Sequence, residues 1–332
     1  MNNSMIPLKQ KPSFEEFNYA LRPNKNVERK MVMDCLLSLK DKFGLHTYRY
    51  IGFGSMWFCD FILAHKMLGI NELISIEIKE HAERALFNRP YKCIKVMGGM
   101  SSDVLEKIGV DKRKSIVWLD YDSKLGGPVL KDLQFLCRNA KGGTFLIATV
   151  NAHVKQLDNV SDIDGNQLYR LEALEYIVGD PDLLPTGITS NDLTIEEFPS
   201  IVSKILFERI NSSIVKSGRS ERFLPIFNIS YADSTPMVTV GGIIGNGDSE
   251  EKIDYVELSS KFYIVKKEDQ VVISVPPLTQ KEKLTIDQLF PSPTVPTEGE
   301  MKSLMGFSLR KEILQAYRLL YLHYPTFGEV QP

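Results

Sequence analysis

Between residues 47 and 150, short apolar runs alternate with segments whose apolar residues recur every three or four positions. The runs, such as Ile116-Val117-Trp118-Leu119 and Thr144-Phe145-Leu146-Ile147-Ala148, have no polar face. Strands of that kind are covered by helices on both sides. The pattern predicts strands over 47–52, 73–78, 92–97, 115–120 and 143–150, with helices over 55–68, 80–87, 101–108 and 127–139 between them. Successive β-α units of this type build a doubly wound, mostly parallel α/β sheet. An earlier helix over 26–43 carries its stripe on Val27, Met31, Met33, Leu36, Leu37 and Leu39, and Gly44 stops it.

The pattern changes after residue 150. Residues 158–192 are rich in Asp, Gly, Asn and Pro and read as loop around a short helix near 166–177. An amphipathic helix covers 194–216. Two apolar runs flanking Asp233-Ser234-Thr235-Pro236 then form a hairpin, which adds antiparallel strands to the parallel sheet. Beyond it the pattern predicts strands near 258–266 and 270–275 and helices near 279–289 and 308–323. Pro291, Pro293 and Pro296 mark a linker-like loop between those helices. Three parts follow: an N-terminal tail and helix (1–45, of which 1–12 is loose), a Rossmann-like domain (46–244), and a small α+β accessory module (245–332).

Composition narrows the classes. The chain has 332 residues, 43% apolar and 25% charged, with net charge −2. These values suit a globular protein in water and give no global positive field for nucleic acid or an anionic membrane. Cys35, Cys59, Cys93 and Cys137 show no metal-ligand spacing and read as free thiols in a reducing compartment. No apolar run is long enough to span a membrane, and Met1–Pro12 has no apolar leader core. A cytoplasmic location is expected.

The candidate chemistry begins at Thr47-Tyr48-Arg49-Tyr50-Ile51-Gly52-Phe53-Gly54-Ser55, a strand running into a Gly-x-Gly turn. The next strand ends in a carboxylate, Glu77. A glycine turn lets backbone approach a ligand, and an acid at the next strand tip can accept hydrogen bonds from two ribose hydroxyls. A dinucleotide site wants a third glycine, but that position is Trp57. The phosphate-binding G-x-x-x-x-G-K-[ST] pattern is absent. S-adenosylmethionine has no phosphate, and for it the third glycine is dispensable.

In strand order, Gly52-x-Gly54, Glu77, Asp120-Tyr121-Asp122 and the closing hairpin, the chain resembles class I S-adenosylmethionine-dependent methyltransferases. More narrowly, Tyr50-Ile51-Gly52-Phe53-Gly54-Ser55, Val117-Trp118-Leu119-Asp120-Tyr121-Asp122 and Phe227-Asn228-Ile229-Ser230-Tyr231-Ala232-Asp233 resemble a bacterial family of O-methyltransferases. The resemblance implies that Gly52, Gly54 and Ser55 pass under the methionine part of the cofactor and that Glu77 holds its ribose. Ser102 or Asp103 would lie near the adenine. Asp120 would reach the cofactor, and Asp120 and Asp122 would face the methyl group as the catalytic pair. Tyr121, Asn151 and His153 would face the acceptor. The acid common two residues before the first glycine is replaced by Tyr50.

Methyl transfer is an in-line displacement that mainly requires alignment and exclusion of water, and a hydroxyl acceptor also needs a base. A divalent metal is disfavoured, because Val150 stands where a ligand would be required beside Asn151. The basic start Arg22-Pro23-Asn24-Lys25-Asn26-Val27-Glu28-Arg29-Lys30 reads as a solvated helix entry, with Arg22 or Lys25 meeting an anionic substrate or the cofactor's carboxylate as the sharper alternative. Asp233 reads as turn chemistry. The expected function is S-adenosylmethionine-dependent O-methyl transfer to an unidentified acceptor. The alternatives are an inactive accessory protein of the same fold and a nucleic-acid methyltransferase, although nucleic acid is not the favoured partner. The sequence assigns no oligomeric state.

Overall fold

The computed structural model describes residues 22–258, 260–265 and 269–326. Its elements run α1 (Pro23–Ser38), α2 (Lys40–Phe43), β1 (Arg49–Gly52), α3 (Cys59–Leu68), β2 (Leu73–Glu77), α4 (Lys79–Asn88), β3 (Ile94–Gly98), α5 (Ser101–Ile108), β4 (Ser115–Lys124), α6 (Gly127–Asn139) and β5 (Thr144–Asn151). Then come α7 (Arg170–Val178), α8 (Phe198–Lys216), β6 (Arg222–Ala232), β7 (Pro236–Gly245), α9 (Gly247–Ile253), α10 (Tyr255–Leu258), β8 (Val271–Ile273), α11 (Gln280–Asp287), α12 (Glu298–Met305) and α13 (Lys311–Leu320).

The strands form one eight-stranded sheet in the order β3-β2-β1-β4-β5-β7-β6-β8. β1 to β5 are parallel, β7 enters antiparallel between β5 and β6, and β8 pairs parallel with β6. The order reverses between β1 and β4. In open α/β sheets that switch point opens a crevice beyond the carboxyl ends of the strands. This is the doubly wound sheet with an added antiparallel hairpin that the pattern predicts, and the arrangement that the resemblance to class I methyltransferases implies.

The two faces bury separate cores. One packs Val117, Leu119, Leu146 and Ala148 against α6 and α8. The other packs Trp118, Ile147, Phe227 and Tyr50 against α1 and α3. Residues 117–119 therefore contribute to both, which is why the strand reads as continuously apolar. A third, small cluster joins Ile286, Met301, Leu314 and Tyr317 in the C-terminal segment.

Two sequence expectations change. The predicted strand near 258–266 is absent among its described residues. Tyr255–Leu258 is helical, and turns follow through Lys261 N–H to Leu258 O (2.9 Å) and Ile264 N–H to Lys261 O (3.1 Å). Its apolar side chains pack against α1 instead, with the Tyr263 hydroxyl donating to Asp34 at 2.6 Å. The proline-rich loop is followed by a helix, α12, whose Thr297 and Glu300 form a reciprocal capping box. That signature was present in the sequence. The predicted loose tail at 1–12 lies outside the described residues.

Candidate active site

β1 ends at Gly52, and the chain does not enter α3 until Cys59. The intervening loop is shaped by two close approaches. A Cβ on Gly52 would lie 2.6 Å from the Trp118 carbonyl oxygen of β4. A Cβ on Gly54 would lie 2.6 Å from both the Phe58 ring and the Ser75 hydroxyl. Gly54 N–H donates to Ser75 Oγ at 3.0 Å, tying the turn to β2. Ser55 and Phe58 hold left-handed backbone at φ 52° and 50°, a conformation that side-chain-bearing residues adopt at some cost. Phe58 turns inward as a plug, while Trp57 is left at the surface.

Glu77 closes β2 beside this turn. Burial pushes its carboxyl up to about 7, Asp122 adds to the rise, and the Ser55 backbone N–H opposes it. Its Oε1 and the Ser55 hydroxyl are buried polar atoms without hydrogen-bond partners. Buried polar atoms are nearly always bonded, and such exceptions call for an explanation. A tight glycine turn, an acceptor oxygen and a hydroxyl left open together fit a ribose-bearing ligand with no phosphate. Gly99 N–H donates to the Glu77 carbonyl at 2.8 Å, which leads the chain from there into α5. Ser102 and Asp103 are exposed in the first turn of that helix.

β4 carries the next residues on opposite faces. Asp120 shares the side of Trp118, and its carboxylate lies 2.8 Å from Lys25 Nζ. Tyr121 points the other way. Its hydroxyl donates to Asp132 at 2.7 Å, and its ring meets Phe53 edge-on at 5.1 Å. Ser101 donates to the same Asp132 carboxylate. Asp122 is exposed at the strand end. Asn151 accepts from His153 N–H at 2.8 Å, and the His153 ring accepts from Lys155 N–H at 3.1 Å. These bonds hold both side chains in local turns.

Helix α1 brings in groups that the sequence reading set aside. Lys25 is 2% exposed and also pairs with Glu28 at 2.8 Å. Burial alone would lower its ammonium. Asp120 first and Glu28 next overcome that and hold it well above the ordinary lysine range. Arg29 pairs with Asp60 of α3. Lys25 is thus neither a solvated entry nor free for a cofactor carboxylate. Asp233 reaches the same helix, accepting from the backbone N–H groups of Asn24 (2.9 Å) and Lys25 (3.1 Å). Its role extends beyond the turn to a helix cap. The usable signal was the i, i+4 spacing of Lys25 and Arg29 around Glu28 on an otherwise apolar face. Tyr50 is buried edge-on to Phe61 at 4.9 Å. Among the described residues, no group of three or more His, Cys, Asp or Glu is placed to hold a metal ion. No helix among them is long and apolar enough to cross a membrane.

A mostly parallel sheet closed by an antiparallel hairpin, with its crevice between β1 and β4, defines the class I methyltransferase fold. The chain belongs to the family described as "Putative O-methyltransferase", whose model matches residues 17–332. No curated protein sequence matches it. Among solved structures it is similar to Trm1 from Pyrococcus horikoshii in complex with S-adenosyl-L-methionine, at 13% identity, covering 71% of this chain and 58% of that one, with a TM-score of 0.42. It is also similar to the O-methyltransferase from Bacillus cereus in complex with SAH, at 15% identity, covering 72% of this chain and 93% of that one, with a TM-score of 0.34. The chain thus spans less than two thirds of the Trm1 length.

Proposed function

We propose that the protein transfers a methyl group from S-adenosylmethionine to an oxygen acceptor. The observation that carries this reading is the open Glu77 carboxylate oxygen beside the Gly52-x-Gly54 turn, with Asp120 across the crevice. Membership of the family supports the oxygen acceptor. The cofactor supplies an activated methyl on a sulfonium. Gly52 and Gly54 let the backbone pass close beneath it, and Glu77 accepts from the ribose hydroxyls. Ser55 adds a hydroxyl, and Ser102 and Asp103 border the adenine at the start of α5.

With S-adenosylmethionine held by Gly52, Gly54, Ser55 and Glu77, the cofactor would supply the methyl that the acceptor oxygen takes. The hydroxyl proton must leave. Asp122, at the exposed end of β4, is the residue assigned to take it, while Asp120 faces the positive charge. Tyr121, Asn151 and His153 are engaged in local bonds, so in this reading they shape the acceptor side rather than react.

Isothermal titration with S-adenosylmethionine and S-adenosylhomocysteine tests the cofactor. Incubation with methyl-labelled cofactor and small-molecule extracts, followed by alkali treatment that opens methyl esters, tests the oxygen acceptor. Label found solely on nitrogen would replace the O-methyl reading.

A further inference from the structure

The charged cluster behind Asp120 has no part in the chemistry above, yet it is assembled from five elements, α1, β4, β5, β6 and β7. Lys25 Nζ lies 2.8 Å from both Glu28 and Asp120. It sits 5.1 Å from the centroid of the Trp118 ring and 5.7 Å from that of Tyr231. A donor chain ends on Glu28. Trp118 Nε1–H donates to Thr149 at 3.1 Å, the Thr149 and Thr239 hydroxyls are 2.8 Å apart, and Thr239 donates to Glu28. The sheet register aligns these groups, pairing Asp120 with Thr149 and Thr149 with Thr239.

Such a cluster is a poor route to stability. Desolvating charges offsets most of what their pairing gains, and an apolar cluster of equal volume commonly does as well. What it delivers is a fixed position. Lys25 and Glu28 are 2% and 0% exposed, whereas Asp120 is 13% exposed at the strand tip bordering the crevice. The groups facing Lys25 are Asp120 from β4, Glu28 and Arg29 from α1, and Tyr231 from β6. Asp60 of α3 is held by Arg29.

We propose that Lys25 is a positioning residue of this site, fixing Asp120 as the anionic anchor for the sulfonium charge, so that the first turn of α1 belongs to the active site. This rests on reading the site as one for S-adenosylmethionine. The idea separates Lys25 from Glu77 by what each ligand carries. Both S-adenosylmethionine and S-adenosylhomocysteine have the ribose that Glu77 holds, but the sulfonium is present in the first alone. Losing Glu77 weakens both ligands alike. Losing Lys25 lowers the preference for the cation.

The test is the ratio of the two affinities, by titration calorimetry from pH 6 to 8.5, in wild type, Lys25→Met and Lys25→Met/Glu28→Gln, with melting temperatures for each. Lys25→Met leaves Glu28 and Asp120 facing each other with Arg29, already paired with Asp60, as the remaining cation, and two carboxylates sharing a site retain a proton. Its preference for S-adenosylmethionine should drop roughly tenfold, as expected for a lost charge-assisted contact, and recover only in part as pH rises and the shared proton leaves, the remainder being the lost position of Asp120. The double variant leaves no stranded like-charge pair. It should keep the lowered preference and lose the pH-dependent recovery. If Lys25→Met does not fold, the double variant decides alone. A wild-type ratio in a folded variant overturns the proposal. Failure of the wild type to bind either ligand overturns the cofactor reading and this one together.

Discussion

Glu77 is where the sequence and the physics of the site meet most directly. Its acid is held up to about 7 chiefly by burial, so the free site keeps a proton that the unfolded chain would have released. That raised value means its contribution to stability is greatest below the ordinary 4.5 and is lost as pH rises through about 7. In the proposed role Glu77 accepts from the ribose hydroxyls as a carboxylate, so binding would expel the proton. S-adenosylhomocysteine affinity should therefore be flat above pH 8 and fall about tenfold for each pH unit well below 7. Glu77→Gln should abolish that slope, which titrations across pH 5.5–8.5 would show. Gly54→Ala should disturb the turn, because the added methyl would meet the Phe58 ring and Ser75. The expected loss is about 1–3 kcal/mol in unfolding free energy, read by denaturant titration, together with weaker cofactor binding. The Gly52-x-Gly54 turn and the place of Glu77 at a strand tip were legible because both are local features. Lys25 was not, because its partner Asp120 is distant in the chain and neighbours it only once the sheet has formed. Burial, which turns a basic helix start into an ion-pair centre, is marked in the sequence solely by charges spaced along an otherwise apolar face.

Helix α1 shows the same division at the scale of elements. Its apolar stripe was readable, but its start was not. It begins at Pro23, whose fixed φ suits a first helical position, and its leading amide groups are capped by Asp233 from the hairpin turn. Asn24 extends the joint, donating to the Ala232 carbonyl at 2.9 Å and accepting from Val275 N–H at 2.8 Å. Asp233→Ala should remove about 0.5–2 kcal/mol, as other lost caps do. It should also loosen amide exchange at Asn24 and Lys25 ahead of the rest of α1, measurable by hydrogen-exchange mass spectrometry. Uniform protection in the variant would argue against the cap. The β-α core was legible because buried parallel strands and their helices write two distinct periods into the sequence. The segment after Gly245 was less so. Its apolar residues are divided between the core under α1 and a separate small cluster around Tyr317, and an apolar run such as Phe262-Tyr263-Ile264-Val265 looks like a strand when its partners are unknown.

At the scale of the molecule, the C-terminal segment is bound into the same body that carries the site. β8 extends the sheet beside β6, and Leu320 of α13 is buried in the core under α1. Lys30 of α1 donates to the carbonyls of His323 and Tyr324, each at 3.3 Å. Calorimetric melting should thus give one transition. Leu320→Ala should destabilise that whole transition by about 2–5 kcal/mol rather than release an independent unit. Two separated transitions would make residues 245–332 an autonomous module. The sheet, the crevice at its switch point and the helix cover over Asp120 all serve the central claim that a ribose-bearing sulfonium cofactor binds between β1, β2 and β4. Titration of the wild type and Glu77→Ala with S-adenosylhomocysteine at pH 8 tests it most directly. One site is expected, weakened by about 1.5–3 kcal/mol in the variant. No binding at millimolar concentration, or equal affinity in the two proteins, would contradict it.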